Sequence, residues 1–122
     1  MQIIALCLVV IVGVEHLGIM LLEMFGRPTQ QARAFDLNLE FIEQAETQVM
    51  LKNQGIYNGM LGLALLISFL TFNGRYLLTV QLLFLAIIVI VALYGGCTAT
   101  RKIWLIQMLP ALLAAIAVSL LI

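Results

Sequence analysis

Four apolar runs, each about as long as a bilayer is thick, dictate what this chain can become. They extend from about Ile3 to Phe25, Gln54 to Phe72, Leu77 to Cys97 and Ile103 to Ile122. A helix needs about 20 mainly apolar residues to span a membrane. Inside hydrocarbon no water is available to the backbone, so a run of this length closes its own hydrogen bonds as a helix. Composition points the same way: 10% of the residues are charged, against about 25% in soluble domains. A chain of 122 residues has too little interior to hide that much apolar surface from water. A formal net charge of zero leaves no electrostatic footprint for a nucleic-acid partner. The expected fold is therefore all-α, a four-transmembrane-helix bundle over residues 1–122 whose partner is the lipid bilayer. The first run has no basic leader or small-residue cleavage site and carries Glu15 and His16, so it reads as a retained helix, not a signal peptide.

The links set the topology. Asn73-Gly74-Arg75-Tyr76 joins the second run to the third, and Thr98-Ala99-Thr100-Arg101-Lys102 joins the third to the fourth; links this short force antiparallel neighbours. The first link, Gly26 to Asn53, holds four of the six acidic residues. Arg27-Pro28-Thr29 stops the first helix. From Asn38, a natural cap, a short amphipathic connector helix is expected along the membrane surface, with Leu39, Ile42, Val49 and Met50 on one stripe and Glu40, Glu43, Gln44 and Thr47 on another. Arg27, Arg33, Lys52, Arg101 and Lys102 all fall on the first and third links, with Arg75 alone on the second. Basic residues favour the cytoplasmic side, which places both termini outside. Cys7 and Cys97 then lie near opposite faces, too far apart for a bridge that needs Cα atoms within about 7 Å, and read as buried structural thiols.

Polar groups in hydrocarbon are costly, about 2.5–3.5 kcal/mol for an acidic side chain at a helix centre, so those within the runs are the candidate site. Glu15 and His16 lie near mid-span, and Glu23, seven residues beyond His16, shares its face. In the second run Gly55, Asn58, Gly59 and Gly62 form one stripe with small-xxx-small spacing, with Gln54 a turn before Asn58 and Tyr57 beside it. Tyr94 and Thr98 close the third run; Gln107 stands in the fourth. On the antiparallel topology these residues share the cytoplasmic half. The expected ligand-binding set is Glu15, His16, Glu23, Gln54, Tyr57, Asn58, Tyr94 and Gln107, lining a pocket that ends near mid-membrane at the Glu15–His16 pair. Pro110 either marks a kink towards this pocket or is simply tolerated. Trp104, behind two basic residues, reads as an interfacial anchor.

At these residues the chain resembles the small bacterial membrane proteins of domain-of-unknown-function family 1304. The resemblance rests on Glu15-His16, Ile19-Met20 and Glu23-Met24-Phe25. It continues through Asn53-Gln54-Gly55-Ile56-Tyr57-Asn58-Gly59, Tyr94-Gly95 with Thr98, and Gln107 with Pro110-Ala111. It departs at Gly18, where the family often has an aromatic residue, and at Gly26-Arg27, where it often has a tryptophan. The resemblance implies the four-helix fold, a bacterial inner-membrane location and the selection of these polar positions. It implies no catalytic residue.

Three functions remain open on this sequence. The first is binding or transport of a small polar or amphipathic molecule, with transport requiring a homodimer because one four-helix chain is thin for alternating access. The second is a membrane enzyme acting on a lipid or quinone-like substrate, with His16 as general acid or base and Glu15 or Glu23 orienting it. The third is a structural partner protein whose polar groups fix helix register. A single histidine and the lack of a Glu-x-x-His pattern argue against a metal site, and no cofactor is expected. A binder or enzyme requires a cavity of about 300 Å³ or more to which His16 is exposed.

Overall fold

The computed structural model describes residues 2–122. Its elements are α1 (Gln2–Phe25), α2 (Pro28–Phe35), α3 (Leu39–Ile42), α4 (Ala45–Thr71), α5 (Gly74–Thr98), a π-helical turn (Trp104–Met108) and α6 (Leu109–Ser119). No strand occurs among the described residues. Helices α1, α4 and α5 are long and apolar enough to cross a membrane; the helix formed by the π turn and α6 is apolar but shorter. Helix α4, at 27 residues, is ~40 Å long and so exceeds the ~30 Å of a bilayer core. The excess is its polar first two turns.

Helices α1, α4, α5 and α6 pack in cyclic order: α1 against α4 and α6, α5 against α4 and α6. Every neighbour is antiparallel, as the short links require. Both termini therefore lie at one end, and α2, α3 and the α5–α6 link at the other, here termed the connector end. Ala5, Val9, Val12, Leu65, Leu85, Ile88, Ala111, Ala114 and Val118 form a single buried apolar cluster. It fills the terminal half. Its polar inclusion is Gln81, fully buried, which donates to Ser68 Oγ at 3.3 Å while Ser68 donates to the Leu65 carbonyl at 2.6 Å.

The α1–α4 seam is set by glycine. A Cβ on Gly62 would lie 2.5 Å from the Gly13 carbonyl oxygen, and one on Gly59 would overlap the Met20 thioether. The small-residue stripe thus does what its spacing predicts, bringing two backbones into contact. Gly13, on the facing helix, completes that contact.

The connector is helical, as expected, but divided. Pro28 occupies the first turn of α2, where its missing N–H costs nothing, and the Gln30 side chain accepts the Arg27 N–H at 2.9 Å. Asp36 closes α2 in the left-handed region, φ 55°. Asn38 caps α3 by accepting the Glu40 N–H at 3.0 Å. Gln44 is extended (φ −64°, ψ 138°), and this one residue breaks the helical phase. The single stripe expected from Leu39 to Met50 is therefore split: Ile42 and Thr47 are buried, whereas Val49 and Met50 are exposed. Residues 45–53, assigned to the connector from sequence, are the first turns of α4, which begins nine residues before the expected Gln54. Helix α5 likewise starts at Gly74, shortening the second link.

Candidate functional site

Glu23 stands in the last turn of α1 and faces α4 at Gly55, where a Cβ would lie 3.1 Å from the Glu23 Cβ. The glycine leaves room for the carboxyl group, and Asn58, the next residue of the same stripe, donates its amide to Glu23 Oε2 at 2.7 Å. Glu23 is 4% and Asn58 7% exposed. This pair floors a cavity of about 270 Å³ at the connector end. Gln54 and Gln107 add side-chain amides from α4 and the π turn; Val91, Gly95 and Ile103 wall it from α5 and the helix opposite. Phe35 and Leu37 from the connector, with Ala99 and Thr100 from the α5–α6 link, complete it.

The connector is strapped over this site by a clasp. Asp36, between the two lining residues Phe35 and Leu37, accepts from Thr100 Oγ1 at 2.5 Å and from Lys102 Nζ at 2.5 Å. Lys102 also donates to the Arg33 carbonyl at 2.9 Å. The hydrogen bonds from Lys102 and then Thr100 hold the Asp36 carboxyl below the usual carboxylate range. On the inner side Gln31, fully buried, donates to the carbonyls of Leu22 and Glu23, both at 3.1 Å, and accepts from Gln48 at 2.8 Å. It thereby satisfies the Glu23 carbonyl, which the C-terminus of α1 leaves open, and adds a second bond to the Leu22 carbonyl, which already accepts the Gly26 N–H at 2.9 Å.

Four of the eight residues expected in the site, Glu23, Gln54, Asn58 and Gln107, line the cavity. The other four do not. Tyr57 is 69% and Tyr94 72% exposed, each on the outer surface of its helix. His16 is buried, its Nδ1 paired with the Val12 carbonyl at 3.0 Å; Gly62 packs against its Cβ. Glu15 is half-buried, with Oε1 enclosed and unpaired among the described residues. The cavity thus ends at Glu23–Asn58 and does not reach the Glu15–His16 level. Its volume falls just under the expected threshold and His16 lies outside its lining.

Other expectations change as well. Cys7 and Cys97 are free and exposed, not buried. Trp104 packs on Gly96, where any Cβ would collide with the indole, and its Nε1 donates to the Leu93 carbonyl at 3.2 Å; it ties two helices together. Pro110 has no N–H to give, and a π turn precedes it, closed by Leu109 N–H to the Trp104 carbonyl. Among the described residues no group of three or more His, Cys, Asp or Glu is placed to hold a metal ion.

Sequence reasoning missed Gln31, Gln48, Asp36 and Thr100. For Asp36 a signal existed: Asp tolerates the left-handed conformation that ends a helix, and Asp36-Leu37-Asn38 places it before the next cap. Gln31 and Gln48 resemble any surface glutamine. Chemically, the site offers one buried carboxyl group, three amides and a hydroxyl against apolar walls, suited to holding a small molecule by hydrogen bonds.

Comparison with known proteins gives the family. Residues 10–119 match the family described as "Protein of unknown function (DUF1304)". The chain is 40% identical over 118 residues to "Uncharacterized protein YpaA" of Lactococcus lactis subsp. lactis (strain IL1403), covering 96% of this chain and 98% of that protein. No solved structure matches. The resemblance carried by Glu15-His16, the Asn53–Gly59 segment and Tyr94-Gly95 is thereby borne out, and the chain belongs to the DUF1304 family.

Proposed function

We propose that this protein is a multi-pass inner-membrane protein, a four-transmembrane-helix bundle with its connector end in the cytoplasm and both termini outside. We propose further that it binds a small polar or amphipathic molecule in the connector-end cavity, through Glu23 and Asn58 and without the His16 contact expected from the sequence. The observation that carries the binding reading is the Glu23–Asn58 pair, joined at 2.7 Å and nearly excluded from solvent, at the floor of a space that Gln54 and Gln107 also line. The orientation is supported by Arg27, Arg33, Lys52, Arg101 and Lys102, all at the connector end, against Arg75 at the other. The shorter fourth helix fits a span because it packs between α1 and α5, and membranes thin locally around short helices.

The structural reading keeps one observation in its favour: Glu23 and Asn58 bond to each other and bridge α1 to α4. A single comparison separates the two. Native mass spectrometry of gently released protein is expected to show a small-molecule adduct in the wild type that Gly95→Leu loses. Gly95 lines the cavity and its nearest neighbours are the flexible end of Ile103, so the leucine fills the space without forcing backbone apart. Gly18→Leu, pointing into open space, keeps the adduct. Identical spectra for all three proteins would leave the polar pair with a purely structural role.

A further inference from the structure

Resting on the reading that the connector-end cavity holds a small molecule, we propose that its ligand is a small organic cation: an amine or quaternary ammonium carrying a compact apolar body. The starting point is a buried carboxyl group without a cationic partner. Glu23 lines the cavity and is 4% exposed. Its one side-chain partner is the neutral amide of Asn58. No Lys, Arg or His is among the lining residues. Five cations stand at this end of the molecule, yet none serves Glu23. Lys102 borders only an adjoining recess of about 80 Å³, and its ammonium group is committed to Asp36 and the Arg33 carbonyl. A buried carboxyl group holds its charge only beside a cation, and here the cavity lies where such a partner would stand.

The rest of the lining narrows the class. Phe35, Leu37, Val91 and Ile103 give an apolar wall, and Phe35 supplies an aromatic ring, the side-chain type that attracts organic cations. Gln54 and Gln107 offer side-chain oxygens to ammonium N–H groups. Calcium or magnesium wants six or more oxygen ligands and zinc four from Cys, His, Asp or Glu; this lining provides neither set. An anion would meet the Glu23 carboxylate with no compensating cation. Pockets for drug-sized ligands run about 300–1,000 Å³; about 270 Å³ suits a one-ring or short-chain amine.

The test uses three probes of one shape and different charge: benzylammonium, benzyl alcohol and benzoate. Each is titrated calorimetrically into the full-length protein in detergent, with Gly95→Leu as the blank. Benzylammonium is expected to bind at least tenfold more tightly than benzyl alcohol, and benzoate not at all. Glu23→Gln, which keeps the shape and can still pair with Asn58, is expected to lose at least tenfold in benzylammonium affinity. Should Glu23→Gln fail to fold, Gln107→Lys serves instead: a lysine in the lining supplies the missing cation from within and is expected to abolish benzylammonium binding. Equal binding of ammonium and alcohol, or unchanged binding in both variants, would overturn the proposal. If the alcohol or the acid is the better ligand and Gly95→Leu loses it, the cation inference falls while the cavity reading stands. If no probe distinguishes wild type from Gly95→Leu, the cation inference falls with it, and the adduct comparison above decides the cavity reading on its own.

Discussion

Alanine substitution at three glycines should separate backbone contact from mere helix weakness. At Gly62 a methyl group would sit 2.5 Å from the Gly13 carbonyl oxygen, 3.0 Å from the His16 Cβ and 3.2 Å from the Leu17 nitrogen. Ordinary C···O contacts begin at about 3.3 Å, so α1 and α4 must part locally by something under ~1 Å. A gap of that size forfeits a quarter to a half of each dispersion contact along the seam. Overpacking generally costs about 1–3 kcal/mol. Here the opposing atoms are backbone and cannot rotate away, so Gly62→Ala belongs at the upper end, about 3 kcal/mol, or roughly a hundredfold in the folded-to-unfolded ratio. At Gly13 the nearest atoms are Leu66 Cγ and Cδ2 at 2.9 and 3.0 Å. That side chain can yield, and the nearest backbone atom, the Gly62 carbonyl oxygen, is at 3.2 Å, only ~0.1 Å inside an ordinary contact; the expected cost is about 1 kcal/mol. At Gly18 nothing lies within 4 Å, and the change should stabilise α1 by about 0.5–1 kcal/mol through helix propensity alone. Unfolding in mixed micelles by increasing SDS, followed by far-UV circular dichroism, gives the three midpoints. If Gly62→Ala unfolds alongside Gly18→Ala, or if Gly13→Ala proves the most damaging, the account of the seam is wrong.

Three further outcomes are expected. Gln31→Leu removes the bonds to the Leu22 and Glu23 carbonyls and to Gln48. Leu22 keeps the Gly26 N–H and Gln48 keeps the Ile42 carbonyl, so the Glu23 carbonyl is the group left unpaired, at about 1–3 kcal/mol, and the same SDS titration should show it. The Asp36 carboxyl is held below its ordinary range by Lys102 and Thr100, so its contribution is complete above the unfolded value, about pH 3.9, and is lost as pH falls through the folded value. Hydrogen exchange across residues 28–37 should therefore be insensitive to pH around neutrality once corrected for intrinsic rates, accelerate only in strong acid, and be fast at neutral pH in Asp36→Asn. Gly96→Ala should displace the indole that packs on it and shift the emission maximum of Trp104, the one tryptophan in the chain; an unchanged spectrum would mean that the indole packs elsewhere.

The long helices were legible because hydropathy marks whatever must be kept from water. It marks the membrane, however, and not the helix. Residues 45–53 mix polar and apolar side chains, so the sequence shows no long apolar run there, yet they continue α4 without a break. The depth of the site was legible too, since helix rise and alternating direction place Glu23, Gln54, Asn58, Tyr94 and Gln107 near one level. Azimuth was harder, although part of it was within reach. The stripe of Gly55, Asn58, Gly59 and Gly62 fixes the inner face of α4, and Tyr57 lies about 100° from Asn58 and about 200° from Gly55, which is the outer side. Tyr94 stands two residues from both Ala92 and Gly96, the buried face of α5, and is excluded by the same arithmetic. The clasp of Asp36 with Thr100 and Lys102 joins residues more than sixty positions apart through two loops. No local pattern encodes such a meeting.

The π turn ahead of Pro110 has a consequence for how this protein can be redesigned. Ile103, Gln107 and Ala111 follow one another at intervals of four. Uniform α winding would carry the third about 80° round from the first, whereas the wider turn keeps all three on the inner side. The turn therefore works as a rotary joint holding one spare residue. Deleting a single position from 104–108 would leave Ala111, Ala114 and Val118 seated in the core and swing Ile103 by about a hundred degrees. The cavity wall could then be re-indexed like a combination dial, one notch at a time, without touching the half of the molecule that keeps it folded.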